Sequence, residues 1–124
     1  MAIEMMMVDI REVNIAKGFR VPSGGPGANT FGDYVALLHS EVSEALEAYR
    51  SHRLNDATGP ALCAGPPSCP EHRAKPEGVG SELADVLIRL LDMADVFGID
   101  LAAEYHRKLA YNRTRSYRHG DRAL

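Results

Sequence analysis

Apolar positions recur with the period of an α-helix in four stretches of the chain, and nowhere do they alternate with a period of two for long enough to make a strand. The first helical pattern runs from about Ile3 to Lys17 and stops at Gly18. The second begins near Phe31 and continues to about Arg53. The third spans about Gly80 to Phe97, with Ser81 as its N-cap and Gly98 as its stop. Asp100 caps the fourth, which reaches about Arg113. These patterns predict an all-α chain of four helices with no internal repeat.

Two segments of another kind separate the helices. "RVPSGGPGAN" is too rich in Gly and Pro for regular structure. Residues 51–77 hold Pro60, Pro66, Pro67, Pro70 and Pro76 with both cysteines and no apolar period, which predicts a long loop inserted within one domain, 1–124. Cys63, Cys69 and His72, with His52 upstream, could converge on zinc. Their C-x5-C-x2-H spacing matches no Cys/His knuckle, so an unliganded loop is the default.

The polar positions of the second and third helices are not scattered. Projected at about 100° per residue from Glu41, residues Phe31, Tyr34, Val35, Leu38, Val42, Ala45, Leu46 and Tyr49 form a stripe centred near about 80°. Glu41 and Glu44 mark one edge of it, whereas Glu47 points to water. On the third helix Leu83, Val86, Leu87, Leu90, Ala94 and Phe97 form a matching stripe, and Glu82 and Asp85 occupy the same edge at the same offset. Helices packed antiparallel through these stripes bring four carboxylates to one rim. Arg89 and Asp92 continue that edge, as an outer layer or as a local ion pair. His39 falls between core and solvent, which suits helix packing better than catalysis. Ile88, Leu91 and Val96 lie off the stripe, so the third helix is apolar nearly all round and points to a subunit interface.

Four convergent carboxylates raise one another's pKa unless a positive charge sits among them. Hard divalent cations such as Mg²⁺ supply it and prefer oxygen ligands. One ExxE on a helix is ordinarily a solvated flank; two such pairs in register make a candidate metal site.

Composition narrows the field. At 124 residues and 13.5 kDa the chain fits one small domain with little margin of buried surface, so self-association is expected. A net charge of −3 argues against a general nucleic-acid binder. The C-terminal end is nonetheless basic: Arg107, Lys108, Arg113, Arg115, Arg118 and Arg122 stand against Asp121 alone, which suits a bound anion or a solvated tail. No apolar run is long enough to predict a membrane span. "MAIEMMMVDI" carries Glu4 and Asp9 without a basic leader or cleavage site, so no signal peptide is expected and the cytoplasm is the expected compartment.

"HSEVSEALEAYR", "KPEGVGSELADVLIRLLDMADVFGIDL" and "KLAYNRTRSYRHG", taken in order, resemble the MazG-like nucleotide pyrophosphohydrolases, an all-α superfamily marked by ExxE followed by ExxD. "AKGF" and "FGDYVALLHSE" are similar to its small single-domain branch. The likeness covers nearly the whole chain apart from residues 54–74. It implies a MazG-like bundle completed by oligomerisation into a homodimer or homotetramer. It also implies hydrolysis of a nucleoside triphosphate to monophosphate and pyrophosphate with Mg²⁺, or Mn²⁺ as a substitute, in clearing unwanted nucleotides. The metal ligands map onto Glu41, Glu44, Glu82 and Asp85, with Glu44 as the choice of general base. Triphosphate binding maps onto Lys108 and Asn112, which are i,i+4 and share a face. Arg115 extends that cluster, and Lys17 in "IAKGF" could reach phosphate or simply answer the helix dipole. The departure is the 37 residues (45–81) between Glu44 and Glu82, longer than a compact member needs. Two other readings stay open: a non-catalytic bundle that binds a partner through its apolar third helix, and a metal-binding bundle with another use.

Overall fold

The computed structural model describes residues 2–51, 64–66, 68, 70 and 75–117. His52, Cys63, Cys69 and His72 lie outside the described residues, as do Arg118, Asp121 and Arg122. Four helices are present among the described residues: α1 (Ala2–Ala16), α2 (Phe31–Arg50), α3 (Val79–Val96) and α4 (Leu101–Thr114). An isolated bridge between Arg20 and Pro26 is the only β pairing among them. None of these helices is long and apolar enough to cross a membrane.

Each helix boundary has a local cause. Gly18 and Gly98 end α1 and α3 at φ 80° and 67°, a backbone region that glycine enters without steric cost. A capping box starts α2: Thr30 Oγ1 accepts from the Asp33 amide at 3.2 Å, and Asp33 Oδ2 accepts from the Thr30 amide at 2.8 Å. Asp100 caps α4 by accepting from the Ala103 amide at 3.0 Å. The expected Ser81 cap is corrected. Gly78, at φ 102°, is the N-cap of α3 and turns the chain by backbone conformation alone. Ser81 sits inside the first turn and donates to the Pro76 carbonyl at 3.1 Å.

Helix α3 is central, with α2 on one side and α1 on another. Phe97 meets Phe31 and Tyr34 edge-on at 5.0 and 5.5 Å, Arg89 meets Glu41 mid-helix, and Glu82 neighbours Glu44. Residue order on one helix therefore runs against the other, so α2 and α3 are antiparallel. Tyr34, Ala45, Leu91 and Ala94 are the buried apolar core. Leu91, off the expected stripe, is fully buried because α3 has helices on two sides.

Much of the expected stripe is not covered within the chain. Phe31, Val42, Leu46 and Tyr49 on α2, Leu83 and Leu87 on α3, and Phe97 just past its end are exposed. Periodicity finds the apolar positions, but the buried face of α2 (Tyr34, Glu41 and Ala45) is turned from the expected stripe towards its carboxylate edge. Helix α4 stands away from the other three and leaves an apolar groove of about 510 Å³ between Ile3, Leu87, Leu90 and Leu91 and its own Leu101 and Leu109.

The Gly/Pro-rich connection is tied down by one residue. Arg20, 4% exposed, donates from Nε to the Gly24 carbonyl at 2.8 Å and from Nη2 to the same oxygen. Its Nη1 reaches Asp92 at 3.3 Å and Asp95 at 2.7 Å, and Arg11 grips Asp95 at 2.8 and 2.5 Å. A buried guanidinium is tolerable only when paired in this way. The loop between α1 and α2 is thereby locked onto α3.

Candidate metal centre

Where α2 crosses α3, one carboxylate oxygen each from Glu41, Glu82 and Asp85 lies within 4.8 Å of the others. The spacing does this mechanically: residues three apart share a helix edge, and the antiparallel crossing places the two edges against each other. Glu41 is 9% exposed and accepts from Arg89 Nε at 3.0 Å. Glu82 and Asp85 are half-buried, and Glu44 is exposed beside them.

The electrostatics follow from crowding. Glu44 holds its proton above the usual glutamate value, first because of the Glu41 charge, then through lost hydration and the Glu82 charge. Asp85 is raised as well, by burial first and the Glu41 charge second, with Lys75 and Arg89 pulling the other way. Cations that reach the cluster therefore offset its repulsion only in part. The donor set is all oxygen, with no thiolate or imidazole, and this fits a hard divalent ion such as Mg²⁺ or Mn²⁺.

The carboxylate rim divides two clefts. One, of about 280 Å³, has Glu41 and Asp85 in its wall and extends to α1 and the Gly/Pro-rich loop. The other, of about 300 Å³, has Glu44 and Glu82 in its wall and includes Lys75 and Gly78. No protein-family model matches this chain, and neither does a curated protein or a solved structure. A functional reading therefore stands on the motifs and on this geometry.

The single chain brings Glu41, Glu82 and Asp85 together with Glu44 at their side. It leaves the expected phosphate-binding residues elsewhere. Lys108 and Asn112 line the apolar groove on another face of α3, and Lys108 Nζ lies 5.7 Å from the centre of the Tyr111 ring. Arg115 is exposed at the end of α4, its amide donating to the Asn112 carbonyl at 3.2 Å, and Lys17 is exposed just after α1. Glu47 faces water as expected, 3.9 Å from Arg50. His39 is exposed. Arg89 and Asp92 do not pair with each other: Arg89 belongs to Glu41, and Asp92 to Arg20.

Four residues of the site region carry no periodic signal in the sequence. Arg20 and Asn29 sit in a segment that reads as featureless loop, Asn14 is one polar residue near the end of the first helix, and Lys75 lies in the Pro-rich insertion. A basic residue between glycines, as in "GFRVPSGG", was the one available hint of an anchor.

Proposed function

We propose that this chain is a Mg²⁺-dependent nucleoside triphosphate pyrophosphohydrolase of the MazG-like kind, converting (d)NTP to (d)NMP and pyrophosphate in the upkeep of the nucleotide pool. The observation that carries the reading is the convergence of Glu41, Glu82 and Asp85 from two helices. Their sequence motifs, ExxE and ExxD, are those of that superfamily. Mg²⁺, or Mn²⁺ in its place, would be held by these three carboxylates with Glu44 as a fourth. When bound, such an ion neutralises charge on phosphate oxygens and makes water a better nucleophile at neutral pH.

The side chains have separate tasks. Glu44 lies at the accessible edge of the cluster, and its neighbours raise its affinity for a proton. It is the general base, taking the proton as the water oxygen bonds to phosphorus and pyrophosphate leaves. Arg89 holds the Glu41 carboxylate in place by a directed hydrogen bond. Lys75, in the cleft with Glu44 and Glu82, supplies positive charge to the departing phosphates.

Lys108, Asn112 and Arg115 reach a triphosphate only if a second copy sets its α4 beside the rim. A homodimer or homotetramer does this while covering the exposed apolar faces of α2 and α3. The expected setting is the cytoplasm.

Phosphorus NMR of reaction mixtures tests the reading across the common NTPs and dNTPs. Monophosphate and pyrophosphate should form only with Mg²⁺ or Mn²⁺. Diphosphate with inorganic phosphate, or no turnover of any nucleotide, overturns it. The apolar groove beside α4 favours a second reading, a non-catalytic bundle that docks a partner helix there. That reading requires partner binding to survive Glu41→Gln.

A further inference from the structure

We infer that the cleft beside Glu41 and Asp85 is a nucleobase subsite, in which Asn14 and Asn29 read the edge of the ring and Phe19 and Tyr34 form its aromatic walls. The inference rests on the proposed nucleotide hydrolysis and names the part of the substrate that this cleft selects.

The charge of the cleft decides what kind of group can enter. Its wall carries Glu41, Asp85 and Asp92, and its one cationic side chain among the described residues, Arg89, is already bonded to Glu41. Free phosphate would be repelled here while no cation is bound. A neutral ring with polar edges would not.

Three further observations point to such a ring. Phe19 lines the cleft yet is 65% exposed, and buried Tyr34 lies in the same wall. A flat heteroaromatic ring gains by stacking on faces of this kind. Asn14 and Asn29 come from different elements and meet at the same cleft. Among the described residues neither side-chain amide has a hydrogen-bond partner, whereas Arg89, Glu41 and Asp92 at the same cleft are already bonded. Each amide offers a donor and an acceptor, the combination that reads a base edge.

The walls are also held still before any ligand arrives. The Asn14 carbonyl accepts from the amides of Phe19 and Arg20 at 2.9 and 3.1 Å, which fixes the turn that presents Phe19. A Cβ at Gly27 would lie 2.7 Å from the Phe19 carbonyl oxygen, so only glycine lets the loop close so tightly. Arg20 then pins that loop to Asp92 and Asp95. A pre-formed wall binds without first losing loop entropy.

The test uses nucleosides without phosphate, titrated into isotopically labelled protein in the absence of Mg²⁺ and followed by NMR. At least one of adenosine, guanosine, cytidine, uridine and thymidine should shift the Asn14 and Asn29 side-chain amides and the Phe19 ring saturably. Asn14→Ala or Asn29→Ala should weaken that binding roughly tenfold, while Mg²⁺ with inorganic tripolyphosphate binds both variants as it binds the wild type. The same spectra show that each variant is folded. Absence of these shifts at about 10 mM nucleoside overturns the subsite, as does an equal loss of nucleoside and tripolyphosphate binding. Nucleoside binding without hydrolysis of any triphosphate supports the subsite and defeats the hydrolase reading. Hydrolysis that is indifferent to the base, with no nucleoside binding, does the reverse.

Discussion

Arg20 is buried between Asp92 and Asp95, whereas Glu41, Glu44, Glu82 and Asp85 crowd together with too little positive charge among them. The first arrangement is a closed network. Removing the guanidinium leaves Asp92 without its ion-pair partner and Asp95 with Arg11 alone, in a poorly hydrated place, so Arg20→Met should lose about 3 kcal/mol, read as a lower urea midpoint at unchanged slope. A loss below about 1 kcal/mol would show that Arg11 alone satisfies Asp95. The second arrangement is open, and pH exposes the difference. Glu44 and Asp85 keep their protons to higher pH in the folded chain than in the unfolded one, whose reference values are 4.5 and 3.8. Stability in the metal-free protein should therefore fall as pH rises through the range just above those values. Asp95 has the opposite sign: its hydrogen bonds from Arg11, then Arg20, lower its pKa, and its contribution is lost only as pH falls below 3.8. The metal-free melting temperature should accordingly rise as pH is lowered from neutral towards the carboxylate range, and saturating Mg²⁺ should remove that slope. A flat profile without metal would mean that the carboxylates do not interact.

At the scale of elements, the start of α3 sets the position of Glu82. Gly78 has φ 102° and ψ 173°, a conformation open essentially to glycine alone, and its carbonyl accepts from the Glu82 amide at 3.0 Å. Gly78→Ala should cost about 1–3 kcal/mol and weaken Mg²⁺ binding, measured by calorimetry beside thermal unfolding. Unchanged stability and affinity would remove Gly78 from the site's support. This cap was not legible in the sequence, because a cap made by backbone angle has no side-chain signature and nearby Ser81 imitates one. The Asp100 cap and the stops at Gly18 and Gly98 were legible, since each is a local choice that one residue makes. Which carboxylates share an edge was legible because the helical period fixes it; that α2 turns this edge inward, burying Glu41 while Val42 and Leu46 stay exposed, was not, since the period does not set a helix's rotation against its neighbour. The Arg20 clamp joins residues 72 apart with no period linking them, so nothing in the pattern announces it.

For the whole molecule, the unfinished feature is surface. Val42, Leu46, Tyr49, Leu83, Leu87 and Ile88 are each exposed, and together they make one chain a poor final state in water. The projection marked these positions as apolar, but it cannot say whether their cover comes from the same chain or from another copy. Sedimentation at micromolar concentration should give at least a dimer, and Leu87→Glu should shift the mass towards one chain. A wild-type monomer would contradict completion by self-assembly and leave Lys108 and Asn112 without a route to the carboxylates. The proposed function depends on the joint between α2 and α3. The most direct measurement is the rate of pyrophosphate release from nucleoside triphosphates with Mg²⁺, comparing wild type with Asp85→Asn and with Glu47→Gln, all shown by circular dichroism to be helical. Asp85→Asn should lose at least about 100-fold while Glu47→Gln keeps the wild-type rate. Equal rates in all three proteins would contradict the metal centre.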